Sequence, residues 1–304
     1  METILGAGGV IGRELARQLP LHTDRIRQVA RAPRRVHDTD ELVSADLLDA
    51  RATAEAVAGS TVAYLVAGLR YDTRVWQEQW PVVMRNAIDA CRRHACALVF
   101  FDNVYAYGRV DGLMTEDTPF NPCSRKGEVR ARIATTFLEH VRRGELQGMI
   151  VRSADFYGPG AALSLTHAVV TERLRAGKTP QWIGDPRAVH TFTYTPDAGL
   201  SLARLAHTPA AWGHTWHALT SAEPITGEQF VRAACELAGR PYGLRVAPRW
   251  MLRAMGLVVP TLRENMEMLY QFEYDYHFDS SRIVRELGLQ ATSYRTGIAA
   301  ALRE

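Results

Sequence analysis

Four glycines, Gly6, Gly8, Gly9 and Gly12, follow a minimal apolar strand, Glu2 to Leu5, and open a stretch with helical spacing, Val10 to Leu19. Val10, Ile11, Leu15 and Leu19 share one side of that stretch. This junction constrains the fold more than any other feature of the chain. Glycine permits a tight turn, lets backbone N–H groups approach a pyrophosphate and allows close packing of helix on strand. The helix N-terminus then presents partial positive charge to the phosphate. The expectation is a dinucleotide-binding unit in which Gly6, Gly8, Gly9, Val10, Ile11 and Gly12 meet the cofactor.

Composition serves mainly to exclude. An apolar share of 47% and a charged share of 23% are ordinary for a globular chain of 304 residues. The net charge of +3 is carried by scattered arginines with acids between them, unlike the basic stripe of a nucleic-acid groove. Cys91, Cys96, Cys123 and Cys235 have neither metal-ligand spacing nor a Cys-x-x-Cys pair, so reduced thiols and no metal are expected. The sequence opens on an expected strand, so no signal peptide is expected. No apolar run approaches the ~18 residues of a membrane helix. A soluble, cytoplasmic protein without a membrane or nucleic-acid partner is expected.

Further strands are expected at Ile26 to Ala30, Leu42 to Ala45, Thr61 to Val66, Ala97 to Phe101 and Met149 to Arg152. Between them lie a short helix closing at Glu55 to Ala58, a strong helix from about Trp80, and a second long one over Glu128 to Val141. This alternation indicates an α/β fold, a Rossmann-type doubly wound parallel sheet. Residues 1–160 would form the nucleotide domain. Residues 161–304 would form a smaller, partly interleaved C-terminal substrate lobe, with 180–206 returning in part to the sheet. The strand ending at Ala30 leads into Arg31, supported by Arg34 or Arg35. Arginine there suits a 2′-phosphate, whereas an acid would suit a free 2′-hydroxyl, so NADP is favoured, with NAD the alternative. Ala67 and Gly68 are small enough for a cofactor to lie across the next strand end, and Tyr71 follows on the cofactor side.

Together these landmarks resemble the extended short-chain dehydrogenase/reductase superfamily, in its NAD-dependent epimerase/dehydratase branch. Gly6-x-x-Gly9-x-x-Gly12 looks like the family's glycine motif, and Asp46-Leu47 like its adenine-contacting pair. Asn86 sits near its structural asparagine, and Tyr107-Gly108 resembles the close of its serine segment. Val151-Arg152 with Phe156-Tyr157-Gly158-Pro159-Gly160 is the most specific match. His190 to Tyr194 with Asp197, then Phe278-Asp279 and Glu286-Leu287-Gly288, resemble later segments. The resemblance implies a small-molecule substrate, such as a nucleotide-sugar or a secondary metabolite. It also implies a homodimer built on the two long helices.

At the catalytic positions the chain departs from this pattern. The family moves a hydride with a Ser or Thr and a Tyr-x-x-x-Lys pair; aligned on Tyr107 and Pro122, those three positions hold Asn103, Lys126 and Arg130. Asn103 can polarise a carbonyl, and Arg130 can bond ribose hydroxyls but cannot pass a proton. Lys126 and Lys178 are the only lysines in the chain. An amine at 126, desolvated and beside Arg130, could titrate near neutrality, and the alternative is a surface lysine at a helix start. Tyr105 offers a second proton mover from the opposite wall. Asp102 reads as a turn-former and Tyr107 as packing, while Asp155 and His190 are candidates to face the substrate. Trp182, Tyr194, Trp250, Tyr270 and Tyr274, with Arg245, Arg249 and Arg253, suggest a pocket for an aromatic or anionic substrate. The expected activity is NADP-linked oxidoreduction with a non-standard catalytic set. The alternatives are a non-redox isomerase, lyase or cyclase that keeps its dinucleotide, and a non-catalytic NADP sensor.

Overall fold

Neighbouring residues in the buried strands turn to opposite faces of one sheet, as a two-residue period requires. Ile4, Tyr64 and Val99 enter one core, while Leu5, Leu65 and Phe100 enter the other. Strands apolar on both faces must be covered on both faces, the condition for an all-parallel sheet. The computed structural model describes residues 1–247, 251 and 260–303, and its seven-stranded sheet meets that condition.

The strands in chain order are β1 (Glu2–Leu5), β2 (Ile26–Ala30), β3 (Glu41–Ser44), β4 (Val62–Leu65), β5 (Ala97–Asn103), β6 (Leu113–Met114), β7 (Gly148–Ser153), β8 (Asp155–Tyr157), β9 (Gln181–Ile183), β10 (Phe192–Tyr194), β11 (Thr215–His217), β12 (Arg245–Ala247) and β13 (His277–Phe278). The main sheet runs β3-β2-β1-β4-β5-β7-β11, parallel throughout. β8 with β10, β9 with β12 and β6 with β13 form three small parallel pairs. Helices α1 (Val10–Gln18), α2 (Ala50–Val57), α3 (Thr73–Arg93), α4 (Arg125–Arg142), α5 (Glu172–Arg175), α6 (Thr195–Ala206) and α7 (Gly227–Leu237) follow in order. α2, α3 and α4 cover one face of the sheet, and α1 and α6 the other. A third core around Trp182, Phe192, Phe230 and Phe272 belongs to the C-terminal lobe.

Most expected elements are present, and the differences have physical causes. α3 begins at Thr73 rather than near Trp80, because Asp72 caps it by accepting from Val75 N at 3.0 Å. Pro81 is carried inside the helix. Two residues expected in a turn, Asp102 and Asn103, extend β5 and pair with Arg152 and Ser153 of β7. The sheet also takes β11 from the half of the chain assigned mainly to the lobe, and α6 packs on α1. A closing helix, Tyr294–Arg303, was not foreseen.

β1 lies between β2 and β4, where the strand order reverses, so a crevice opens at the carboxyl end of β1. The α1–α6 contact that backs it depends on Gly199. A Cβ there would lie 2.6 Å from the backbone carbon of Glu14. Gly199→Ala is therefore expected to push α1 from its seat and to destabilise the protein by about 2 kcal/mol, measured as a lower urea midpoint at unchanged slope.

Candidate active site

The glycine turn is built as a cradle. Gly6 has φ of 97° and approaches the backbone of Ala67 so closely that a Cβ would overlap Ala67 Cα. Gly12 sits on Ala7, where a Cβ would come to 2.8 Å of Ala7 Cα. Gly9 is the N-cap of α1 and no side chain caps the helix, which leaves its first N–H groups facing the crevice. Gly8, Gly9 and Gly68 are exposed, with Val10 and Ala67 half-buried and Ile11 buried beneath them. Arg31 is exposed immediately beyond β2, and its carbonyl accepts from Ser44 Oγ at 3.0 Å. Asp46 is exposed at the next strand end, where it holds Leu48 N at 3.0 Å. Asn86 Nδ2 of α3 reaches Leu47 O at 2.9 Å and so fixes the Asp46-Leu47 turn. The cofactor candidates thus share one end of the sheet.

The catalytic candidates divide. Asn103 and Tyr105 stay together at the end of β5. Asn103 Oδ1 accepts from Tyr105 N at 3.0 Å, which directs the amide Nδ2 elsewhere, and among the described residues it meets no partner. Tyr105 stacks on Trp76, with ring centroids 6.1 Å apart, and its hydroxyl lies 3.5 Å from that of Tyr71. Burial pushes the phenols of Tyr71 and Tyr105 well above their ordinary range. For Tyr105 the charge of Asp155 adds to the rise, while the hydrogen bond from Tyr71 and the charge of Arg130 oppose it.

Lys126 and Arg130 face other tasks than those expected. Lys126 is fully buried, with Nζ 2.8 Å from Glu264 Oε2, 2.8 Å from Glu267 Oε1, 2.9 Å from Thr73 Oγ1 and 3.0 Å from Glu264 O. An ammonium has three hydrogens, and all are engaged. The same carboxylates take the first N–H groups of the two long helices. Thr73 N donates to Glu264 at 2.8 Å, and Arg125 N to Glu267 at 2.9 Å. Lys126 is neither a surface lysine nor a free amine but the centre of a staple between the helices and residues 264–267.

Arg130, expected to grip a ribose, turns into the core. Its Nε and Nη2 meet Asp102 Oδ1 at 2.6 Å, and its guanidinium lies 4.4 Å from the Trp80 ring centroid. Asp102 is accordingly no turn-former. It is a fully buried carboxylate that also takes Arg152 Nε at 3.2 Å and Asn103 N at 2.8 Å. Arg152 Nη1 continues to Tyr107 Oη at 3.0 Å, and Tyr107 donates to His217 Nε2 at 2.9 Å. His217 Nδ1 donates to the carbonyl of Asp279 at 2.6 Å, which fixes this tautomer. Burial, and then the charge of Arg152, hold the His217 imidazole neutral at about 3 against the bond to Asp279. Tyr107 is thus the packing residue expected.

Asp155 and His190 come together: His190 Nε2 lies 3.0 Å from Asp155 Oδ2 and Nδ1 lies 2.9 Å from Gln271 O. His190 is buried and stacked on Phe272, while Asp155 keeps an exposed edge. The aromatic-pocket expectation holds unevenly. Trp182 is core, Tyr274 is exposed under Arg109, and Arg249, Trp250 and Arg253 lie outside the described residues. The four cysteines are free thiols. Among the described residues no His, Cys, Asp or Glu cluster suits a metal, and no helix is long and apolar enough to cross a membrane. Glu264, Glu267 and Tyr276 were missed. Glu264-x-x-Glu267 has the look of a solvated helix face, and nothing local couples it to a lysine 138 residues away.

A doubly wound parallel sheet, with a glycine cradle at its switch point and a closing lobe beyond, defines a dinucleotide-binding α/β enzyme class. Residues 3–215 match the NAD dependent epimerase/dehydratase family, and the chain belongs to that family. Solved structures agree in fold. UDP-glucose 4-epimerase from Thermotoga maritima, solved with UDP-glucose, superposes with a TM-score of 0.82 at 15% identity, over 100% of this chain and 98% of that one. The Thermus thermophilus UDP-glucose 4-epimerase, in complex with NAD, gives 0.78 at 15%, with 100% and 98% covered. DesIV, a dTDP-glucose 4,6-dehydratase from Streptomyces venezuelae with NAD and TYD bound, gives 0.79 at 19%, with 100% and 96% covered. None of the curated proteins compared matches the chain.

Two groups make the fold sensitive to acid in staggered windows that overlap between pH 4.5 and about 3. His217 takes up a proton only on unfolding, so its contribution is complete above pH 6.5 and is lost as pH falls toward about 3. Burial raises the Glu264 carboxyl, but hydrogen bonds from Lys126 and Thr73 outweigh it and hold it at about 2. That contribution is present above pH 4.5 and is lost as pH falls toward about 2. In urea unfolding at fixed pH values, His217→Gln is expected to flatten the fall in stability between pH 6.5 and 4.5, where Glu264 does not yet contribute, and Glu264→Gln to flatten it below about 3.

Proposed function

We propose that the protein is a nicotinamide-dinucleotide-dependent oxidoreductase acting on a carbonyl or carbinol carbon of a small molecule, in the manner of a nucleotide-sugar epimerase or dehydratase. The observation that carries this reading is the intact cradle of Gly6, Gly9 and Gly12 beside the Asn103–Tyr105 turn. The cradle fits the group, because Gly6 and Gly12 pack without a Cβ on Ala67 and Ala7, which keeps the turn tight, and no side chain caps the first N–H groups of α1. Supporting this, the similar structures from T. thermophilus and S. venezuelae hold NAD, and those from T. maritima and S. venezuelae hold sugar nucleotide or nucleotide ligands. Gly8, Gly9, Val10 and Ile11 would face the pyrophosphate, Asp46 and Leu47 the adenine, and Ala67 and Gly68 would lie beneath the cofactor. Arg31, with no acid at the end of β2, favours the 2′-phosphate of NADP.

When bound, the dinucleotide supplies or accepts the hydride. Asn103 Nδ2 would polarise the substrate oxygen. Between the two proton movers, the saturated hydrogen bonding of Lys126 favours Tyr105. Arg130 supports it from a distance, since its charge favours the Tyr105 phenolate. The arrangement thereby recovers part of what a Tyr–Lys pair provides, with tyrosine and cation on different elements. Tyr71, bonded to Tyr105, would close the site on the cofactor side. A homodimer through α3 and α4 and a cytoplasmic location accompany this reading by family resemblance.

Titration followed by fluorescence tests it. NADPH is expected to bind more tightly than NADH. Arg31→Ala should cost about tenfold in NADPH affinity, roughly one charge-assisted contact, and leave NADH unchanged. Failure to bind any nicotinamide dinucleotide would end this reading.

A further inference from the structure

Residues 264–276 are fastened at both ends, and the two fastenings differ in kind. The later end is sewn to the lobe by its backbone. Phe272 O accepts from Asp185 N at 2.8 Å, Tyr276 N donates to Val189 O at 2.9 Å, and Tyr276 O accepts from Thr191 N at 3.0 Å. Gly184 fits so closely that a Cβ there would lie 2.1 Å from Phe272 O. Phe272 itself belongs to the lobe core, and Gln271 O takes His190 Nδ1 at 2.9 Å. The earlier end is held to α3 and α4 only through charged side chains. Every bond there passes through the Glu264 or Glu267 carboxylate or the Lys126 ammonium. These carboxylates are 20% and 22% exposed, so water and salt reach this end. Between the ends, Met268 and Leu269 are buried.

The two tyrosines of the site stand at the foot of the ionic end. Tyr71 shortly precedes Thr73, whose N–H and hydroxyl are bound by Glu264. Lys126 Nζ lies 4.6 Å from the Tyr71 ring centroid, and the Tyr71 hydroxyl faces that of Tyr105 at 3.5 Å. The first turn of α4 rests on Tyr105 itself, since a Cβ at Gly127 would come within 2.5 Å of Tyr105 O.

From this asymmetry we infer that residues 264–276 are a strap over the Tyr71–Tyr105 side of the site, released at the Lys126 contact and fixed at the 272–276 seam. The inference rests on the redox reading above only for what passes beneath the strap. Release at this end strands no charge in the interior, because the ammonium, both carboxylates and the freed helix N–H groups all become hydrated. What holds the strap down is the burial of Met268 and Leu269 together with the ion pairs, so the closed form dominates and salt favours the open one.

Site-resolved amide hydrogen exchange on the full chain tests the strap. The amides of Thr73 and Arg125 report its ionic end, and those of Asp185, Thr191 and Tyr276 report the seam. Raising NaCl from about 0.05 to about 1 M should speed exchange at Thr73 and Arg125 and leave the seam unchanged. Combining Glu264→Gln with Glu267→Gln should speed the same two amides about tenfold, roughly one charge-assisted bond. Hydroxyl-radical footprinting should show Tyr71 gaining reactivity under both conditions. Should the double variant fail to fold, the wild-type salt series decides. Exchange that responds equally at both ends, or not at all, would overturn the inference. So would a Tyr71 footprint that stays constant while Thr73 and Arg125 exchange faster. None of these readouts involves hydride transfer, so failure of the redox reading would leave them standing.

Discussion

A single buried carboxylate decides what the rest of the site can do. Asp102, at the end of β5, has no exposed side-chain surface, and an isolated charge there would be prohibitively desolvated. Its partners are two guanidiniums, Arg130 from α4 and Arg152 from β7. Both arginines are thereby withdrawn from ligand contact, and Arg152 goes on to hold Tyr107, which holds His217. The floor of the site is one continuous polar network that ties α4, β5, β7 and β11. Two cations against one carboxylate also leave positive charge beneath the Asn103–Tyr105 turn.

How much of this could be read from the chain varies with range. The sheet was legible because strand and helix periods are local: Thr61 to Val66 and Ala97 to Phe101 can only be buried strands once helices flank them. The glycine cradle was legible for the same reason, whereas the bond of Asn86 to Leu47 O shows only in the structure. Asp102 was misread because an Asp-Asn step ahead of Tyr and Gly has the local chemistry of a turn. Its true partner is set by the register of β5 against β7, which no local signal carries. Arg130 was misplaced for a related reason. Spacing put it at the right helical position, but the direction of its side chain follows from Asp102 and from the faces of Trp80 and Phe100.

The staple on Lys126 belongs to the least legible class. Two acids three residues apart meet the N-termini of α3 and α4 and one ammonium, so helix dipoles and a point charge act on the same carboxylates. Residues 264–267 are joined there to α3 and α4 by ionic contacts. A tyrosine placed at position 126 would face two carboxylates, and its phenolate would be opposed by both. Lys126 and the acids at 264 and 267 thus form one unit.

The scarcity of lysine gives the staple a practical meaning. Of the two lysines in the chain, Lys178 is exposed and Lys126 is fully enclosed. Amine-directed reagents acting on the folded protein thus have one side-chain target. A second becomes reactive only when residues 264–267 swing away from the helices. The chain carries its own reporter of lobe opening, readable by mass without an added label.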